Sequence, residues 1–396
     1  MAASGSAPTT SRRTGSATTG SVSKRTTSIR SSTVISMRSS MPARLPTAKL
    51  RWPHPSSPRA ERMPDGFFDA LGQEEPTEGG RVSARDLLYD AERRLTGAGV
   101  PSPQADAAIL LAWVLDVPRR RLFLHDAPTG RERVAFEKAL AKRLNRVPLQ
   151  HITGRAPFRR IEVAVGPGVF IPRPETELIT EAGVRPLREA TGQVAVDLCA
   201  GSGAVGLSLA IEAPGTSVYA VELDERAVEW TGRNAEEFAE AIAAAGSSFE
   251  VVQADAGDVA EPGGPLASLV GRVDVVVANP PYIPDSMVPR EVEVREHDPY
   301  LALYGGSDGL DVVRRIARTA ALLLRPGGLL AVEHADTQGP DARDGGVVGV
   351  LRGLHLDEAM ATSVPGLPGA PAFEKVTDRL DLAGLPRFTL ATRTQP

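Results

Sequence analysis

Asn279-Pro280-Pro281-Tyr282-Ile283-Pro284 follows directly on the apolar run Val275–Ala278. A buried strand that ends this way brings a carboxamide, a stiff backbone carbonyl and an aromatic face to one spot. The Asn279 side chain offers an acceptor oxygen. Pro280 and Pro281 donate no backbone hydrogen bond and hold φ near about −65°, so the turn stays rigid. Tyr282 adds a flat π face. These groups suit gripping a planar –NH2 group while its nitrogen attacks an electrophilic carbon. Alone, the hexapeptide would serve equally well as a Pro-rich turn from strand to loop.

A site for the electrophile lies upstream. Val194-Ala195-Val196-Asp197-Leu198-Cys199-Ala200-Gly201-Ser202-Gly203 reads as a strand, a glycine-containing turn and the start of a helix. Gly201 and Gly203 permit positive φ and a close backbone approach to a ligand. The helix start presents free N–H groups to an anionic moiety such as a carboxylate. Glu222 ends the next strand about twenty residues on, where a carboxylate binds ribose hydroxyls. Asp255 follows the third strand, near where an adenine would rest. Gly206 completes a G-x-G-x-x-G pattern, so a dinucleotide remains a rival on spacing alone. Asp197 inside the strand, followed by a loose turn, favours a cofactor with an amino-acid tail, as in S-adenosylmethionine. The bland alternative is a glycine needed only for close helix packing.

These groups need a scaffold that holds strand ends together. Residues 84–95, 105–115 and 131–144 carry helical apolar stripes, with Ser102 and Pro103 as N-cap and first-turn pair. None of these short helices could bury its face alone, so they form a small bundle. Ile161, Val163 and Val165 alternate, Gly166-Pro167-Gly168 turns the chain and Val169–Ile171 resumes it, which predicts a β-hairpin. Beyond residue 192, strands at 193–198, 217–222, 249–253, 273–278 and 328–333 alternate with helices at 203–212, 225–243 and 308–324. That alternation predicts an α/β fold, a doubly wound and mostly parallel sheet. Candidate strands 371–378 and 387–393 would close it with an antiparallel pair.

Composition narrows the partners. Residues 1–60 hold ten Lys or Arg and no Asp or Glu, while the remainder carries 35 basic against 49 acidic residues. An acidic body is a poor grip for a phosphate backbone, so no nucleic-acid contact is expected. Cys199 is the one cysteine, which excludes an intramolecular disulfide or a multi-cysteine zinc site and points to a reducing, cytoplasmic setting. No metal site is expected. No apolar run approaches the ~18 residues that span a membrane. The basic, Ser/Thr-rich head over 1–80 fits a transit peptide, simple disorder, or a start codon placed too early, with Met41 or Met63 as the true start. A dispensable head is the expectation.

Several stretches together resemble a known family. Asp197-Leu198-x-x-Gly201-Ser202-Gly203, Glu222 and Asn279–Tyr282 look like a class I S-adenosylmethionine-dependent methyltransferase acting on a planar nitrogen. Pro148–Gly154, Ile171–Glu177, Ala302-Leu303-x-Gly305-Gly306-x-Asp308-Gly309-Leu310 and Glu333-x-x-x-x-Gln338 narrow it further. The set is similar to the PrmC (HemK-like) peptide chain release factor methyltransferases, in order over residues 83–394. The resemblance implies a five-helix N-terminal domain (81–155), a β-hairpin linker (156–180) and a Rossmann-like catalytic domain (181–396). It implies N5-methylation of the glutamine in the Gly-Gly-Gln loop of class 1 release factors, with S-adenosylmethionine as donor. Its cofactor contacts fall on Cys199, Ala200, Gly201, Ser202, Gly203, Glu222, Ala256 and Asn279, and Asn279–Tyr282 also hold the substrate glutamine. A monomer is expected. Two positions depart from the pattern: Cys199 stands where glycine is common, and Ala256 where many relatives carry an aromatic residue.

In the expected chemistry Asn279 Oδ1 and the Pro280 carbonyl accept the two amide hydrogens, and Tyr282 stacks on the carboxamide. Arg173, Glu175 and Glu177 either shape the substrate channel or pair with one another. Asp298, Pro299 and Tyr300 sit in a lid-like segment over 284–307, and His297 and His334 read as structural. The bundle reads as a docking surface for a protein partner, or else as a stabilising cap. Three rivals stay open. Adenine-N6 methylation of DNA or RNA uses the same grip but needs a cationic strand channel, and the basic head is about 220 residues from the motif. Glutamine methylation of a ribosomal protein would share the pocket. A cofactor-binding module without turnover would not need Asn279–Tyr282.

Overall fold

The computed structural model describes residues 34–36 (backbone only), 82–124 and 127–395. The expectations for residues 1–80 otherwise lie outside the described residues. Val34–Ser36 (β1) runs antiparallel along one edge of the main sheet.

The bundle is built from capped helices. In helix Ala84–Gly97, Ser83 Oγ accepts from the Asp86 N–H and Asp86 Oδ2 accepts from the Ser83 N–H, both at 3.2 Å. Thr129 and Glu132 repeat this capping box at helix Gly130–Leu144, satisfying donors that the first turn leaves free. Helix Pro103–Val114 begins two residues before the expected start, because Pro103 opens it directly; Ser102 holds the N-cap place without a side-chain bond. Among the described residues of this region a 3-10 turn at Arg119–Leu124 and a short helix at Leu149–Thr153 accompany these three helices. Ala91, Leu95, Leu110, Leu111, Phe136 and Leu140 bury a core of their own between them.

The hairpin lies elsewhere than the sequence predicts. Arg155–Phe158 (β2) pairs with Ile161–Ala164 (β3), so the turn is Arg159-Arg160 and not Gly166–Gly168. Arg159 takes φ 51. Its strained turn is held from outside the hairpin: its guanidinium grips Glu212 at 2.7 Å and Glu181 at 2.6 Å, and its N–H meets Glu177 Oε1 at 3.1 Å. Gly166 instead lies flat on Trp230, where a Cβ would come within 2.6 Å of the indole.

The catalytic body is one sheet. Its strands are Val194–Leu198 (β4), Ser217–Glu222 (β5), Ser248–Gln253 (β6), Val273–Ala278 (β7), Leu324–Glu333 (β8), Phe373–Leu380 (β9) and Pro386–Arg393 (β10). Their order is β1-β6-β5-β4-β7-β8-β10-β9. β6, β5, β4, β7 and β8 are parallel, and β10 runs antiparallel to both β8 and β9, the closing pair that the tail predicts. Central strands covered on both faces read as unbroken apolar runs, as in Val275–Ala278. The chain steps outward from β4 to β6 and returns on the far side at β7. The carboxyl ends of β4 and β7 therefore flank the point where strand order reverses, and a crevice opens there. Cys199 and Asn279 are the first residues past those ends.

Smaller departures have local causes. The helix expected at 225–243 breaks at Phe238, leaving Glu225–Glu237 and Ala239–Ala244. The helix expected at 308–324 runs only from Asp311 to Leu323, and β8 begins four residues before position 328. Among the described residues no helix is long and apolar enough to cross a membrane.

Candidate active site

A cavity of about 830 Å³ occupies the crevice and continues to the bundle. At one end stands the Cys199–Gly203 turn. Cys199, Gly201 and Gly203 all take positive φ, at 67°, 58° and 80°. For a residue with a Cβ this conformation is strained, so Cys199 is held there by its surroundings. Ala200 N–H donates to Val221 O at 2.9 Å, Thr231 Oγ1 donates to Gly201 O at 2.6 Å and Asn234 Nδ2 donates to Ser202 O at 2.9 Å. Gly203 must be glycine on a second ground: a Cβ would sit 2.9 Å from Thr231 Cγ2. Helix Ala204–Glu212 starts here, with its first-turn N–H groups lacking helical partners.

Glu222 faces this turn from the end of β5. Its carboxylate accepts from the N–H groups of Gly201, Leu223 and Asp224 at 2.8, 2.7 and 2.9 Å. Burial raises its pKa, against the pull of those three donors. Asp255 accepts from Gly257 N–H at 2.8 Å and pairs with Arg315 at 2.8 Å, while Ala256 offers a small buried wall. The donor set fits an adenosyl amino acid: a carboxylate for a ribose diol, a helix start for an α-carboxylate, and apolar Val221, Leu223 and Ala256 beside them. Cys199–Gly203 contains no cation to meet a pyrophosphate.

At the other end Asn279, Pro281 and Tyr282 line the wall. The turn is braced from behind. Gln338 Nε2 donates to Tyr282 O at 2.9 Å, and its Oε1 accepts from Ala335 N–H at 3.1 Å. The Gly305–Gly309 loop packs on the same backbone; a Cβ on Gly305 would lie 2.5 Å from Pro281 O, and one on Gly309 would collide with Tyr282 O. Asn279 Nδ2 donates to Thr176 Oγ1 at 3.3 Å. Burial, with a contribution from Glu333, raises the Tyr282 hydroxyl, which stays protonated. Burial also pushes Glu333, at the end of β8, up to about 7, while a hydrogen bond from Thr176 pulls the other way.

The segment after the turn folds into helices Val292–His297 and Tyr300–Leu303. Arg143 and Arg146 of the bundle grip Glu293, and Arg173 of the linker grips Asp298 at 2.7 Å. Arg173 also lies 4.9 Å over the Phe170 ring and lines the cavity, as does Glu175, whereas Glu177 holds the hairpin turn.

Asp197 and Gly203, which the sequence puts at the cofactor, stand behind the cavity wall, and the buried Pro280 lies between the lining residues Asn279 and Pro281. Asp197 is 1% exposed, and its Oδ2 accepts from Gly206 N–H at 2.8 Å. Burial pushes its carboxyl up to about 7. Gly206 is thereby explained by packing, since a Cβ would sit 3.2 Å from that carboxylate and 3.0 Å from Phe249. His334 is fully engaged, with Nε2 2.9 Å from Asp378 Oδ1 and Nδ1 2.8 Å from Ala335 O. Thr176 and Arg387 escape the sequence reading; Thr176 sits unremarked in Pro174-Glu175-Thr176-Glu177, and nothing local marks Arg387 at all.

Comparison with known proteins agrees with this geometry. Residues 86–154 match the PrmC N-terminal domain and residues 160–294 the methyltransferase small domain. A release factor glutamine methyltransferase of Streptomyces coelicolor is 47% identical over 78% of this chain and 98% of its own length. One from Bifidobacterium longum is 46% identical over 64% and 88%. A 4-amino-L-phenylalanine/4-methylamino-L-phenylalanine methyltransferase of Streptomyces pristinaespiralis is 38% identical over 63% and 82%. With relatives so similar matched over nearly their whole length, this chain belongs to the release factor glutamine methyltransferase family.

Proposed function

We propose that this chain transfers a methyl group to the side-chain amide nitrogen of the Gly-Gly-Gln glutamine of class 1 peptide chain release factors. One observation carries the reading. The Asn279–Tyr282 turn and the Cys199–Gly203 turn, with Glu222, line a single cavity at the strand-order reversal. The family implies S-adenosylmethionine, which supplies a sulfonium-activated methyl. Glu222 would hold its ribose, Cys199, Ala200, Gly201 and Ser202 its amino-acid end, and Asp255 and Ala256 would flank its base.

An amide nitrogen is a poor nucleophile because its lone pair is delocalised into the carbonyl. Asn279 Oδ1 and the Pro280 carbonyl take its two hydrogens, which turns the nitrogen towards the methyl donor and stabilises positive charge as the C–N bond forms. Tyr282 stacks on the carboxamide and keeps water out. Alignment supplies much of the rate. No strong base precedes attack, because the proton becomes acidic once transfer begins. Met287, Val288, Tyr300 and Leu301 are exposed apolar side chains on the segment after the turn, which suits a protein partner. The enzyme acts as a cytoplasmic monomer without gripping nucleic acid.

Labelled methyl transfer from S-adenosylmethionine tests the reading. Release factor accepts label, and its loop Gln→Ala variant does not. Label in a ribosomal protein, in DNA or in 4-amino-phenylalanine, with none in release factor, would overturn the substrate.

A further inference from the structure

A purine base offers two flat faces, and the apolar residues that line the cavity around Glu222 and Asp255 offer it no ring. Val221, Leu223, Ala254, Ala256 and Val312 are all aliphatic. A broad planar group does reach this end of the cavity: the guanidinium of Arg315.

Arg315 stands one turn after Val312 on helix Asp311–Leu323, so the two share a face of that helix. The loop after β6 holds it. Asp258 N–H donates to Asp255 O at 3.0 Å, closing a turn whose two carboxylates both reach the same side chain. Asp255 Oδ2 accepts from Arg315 Nη1 at 2.8 Å, and Asp258 Oδ1 accepts from Nη2 at 2.9 Å. Gly257 makes room for this arrangement. A Cβ there would lie 2.4 Å from Arg315 Nε and 2.6 Å from Cζ and Nη2, so the guanidinium lies close against the backbone next to Ala256.

The N–H bonds of a guanidinium lie in its plane, so two carboxylates fix that plane and leave its faces open. The loop covers one side, yet 48% of the side chain stays exposed. As surface ion pairs these contacts would stabilise the fold little. Their effect is to hold a flat, weakly hydrated cation in place, ready to stack on a π system with little further loss of freedom.

We infer that Arg315 is a cofactor-binding residue whose guanidinium stacks on the adenine and gives it the planar cover that Ala256 cannot. This rests on the reading of the site as one for S-adenosylmethionine. Asp255 and Asp258 then act as positioning residues, and Gly257 is the gap that lets the guanidinium lie down.

Calorimetric titration with S-adenosylhomocysteine tests this without turnover. Arg315→Ala weakens binding about 3–30-fold, the span of cation–π contacts from exposed to desolvated sites. Arg315→Lys keeps a charge between the two aspartates but has no plane, and it recovers little of that loss. Gly257→Ala keeps Arg315 and pushes its guanidinium off the loop; binding weakens while the melting temperature holds, because a flexible chain end can yield. Ala256→Phe tightens binding in Arg315→Ala more than in the wild type, since a ring then covers the base. In Arg315→Ala, KM for S-adenosylmethionine rises more than kcat falls. An Arg315→Ala protein that binds like the wild type overturns the inference. So does full binding by Arg315→Lys, which would leave charge alone as the role, or a loss that follows a lower melting temperature of the free protein. A wild-type protein that does not bind S-adenosylhomocysteine would sink the cofactor reading itself, and this inference with it.

Discussion

Arg146 holds Glu293 through two parallel bonds, Nε to Oε1 at 2.8 Å and Nη2 to Oε2 at 2.6 Å, and so ties the bundle to the helix that follows the Asn279–Tyr282 turn. Arg143, itself bonded to Asp106 at 2.7 Å, adds a third contact at 2.8 Å. A two-pronged arginine contact fixes geometry as well as charge. The segment over 284–307 is therefore anchored to the bundle.

Glu293→Gln should cost about 2 kcal/mol, below the roughly 3–5 of a fully buried pair losing one partner, because Arg143 keeps Asp106. Burial works to raise the Glu293 carboxyl, but Arg146 and Arg143 overcome it and hold it at about 2, down from 4.5. A folded-state value below the unfolded one means stability that is present above pH 4.5 and lost as pH falls towards 2. Urea titrations across that window should show a slope in the wild type that is smaller in the variant. Exchange of backbone amides in 292–303 should quicken, and KM for the protein substrate should rise more than kcat falls.

His151 gives a second pH response from the same region. Burial, then the nearby His297, lowers its pKa from 6.5 to about 4, although a bond to the Val169 backbone resists. The folded protein thus holds this imidazole neutral where the unfolded chain would protonate it. The contribution is complete above pH 6.5 and disappears as pH falls through 4. In His151→Gln the wild-type loss of stability between pH 6.5 and 4 should be flatter, measured by thermal melts at fixed ionic strength. An unchanged slope would mean that His151 is not the group responsible.

Much of this architecture is legible in the residues because local and global preferences agree. Val275–Ala278 can be read as a buried strand, and Asn279-Pro280-Pro281-Tyr282 cannot be read as its continuation. What escapes is decided by partners far along the chain. Nothing in Arg159-Arg160 signals a tight turn; Glu181 and Glu212, over 20 and 50 residues away, hold it there. Gly166 looks like a hairpin turn until Trp230 is seen beneath it. Asp197 has the residue type of a cofactor ligand, and only the Gly206 N–H shows that it braces the turn. Thr176 is silent for the same reason, since its contact with Asn279 exists only where the end of β7 and the linker meet.

Asn279 and Tyr282 separate by mutation. Asn279→Ala should lower kcat about 10²–10³-fold, the cost of one oriented group acting on developing charge, while cofactor affinity stays within about threefold. Near-normal turnover in a variant that still binds cofactor would remove Asn279 from the mechanism. Tyr282 acts by its face, and its hydroxyl, raised by burial, is no base. Tyr282→Phe should therefore keep turnover within about threefold, and Tyr282→Ala should lose it, because only the second deletes the stacking surface.

Gly309 tests whether the turn needs its brace. It takes φ 76, and a Cβ there would run into the Tyr282 carbonyl and lie 2.7 Å from Gln338 Nε2. Positive φ alone costs a residue with a Cβ about 1–2 kcal/mol, which a stable domain survives. The contact is with backbone, so relief must come from moving the turn itself. Because Gln338 Nε2 bonds the same carbonyl, the displacement reaches both supports together. In Gly309→Ala the fold should persist by circular dichroism and S-adenosylhomocysteine should bind normally, since Glu222 and the Cys199–Gly203 turn stand on other strands. Turnover should fall about 10²-fold, as a shift near 1 Å does to an aligned reaction. Full activity would show that the turn tolerates the displacement, and that rigidity at Pro280-Pro281 contributes little to rate.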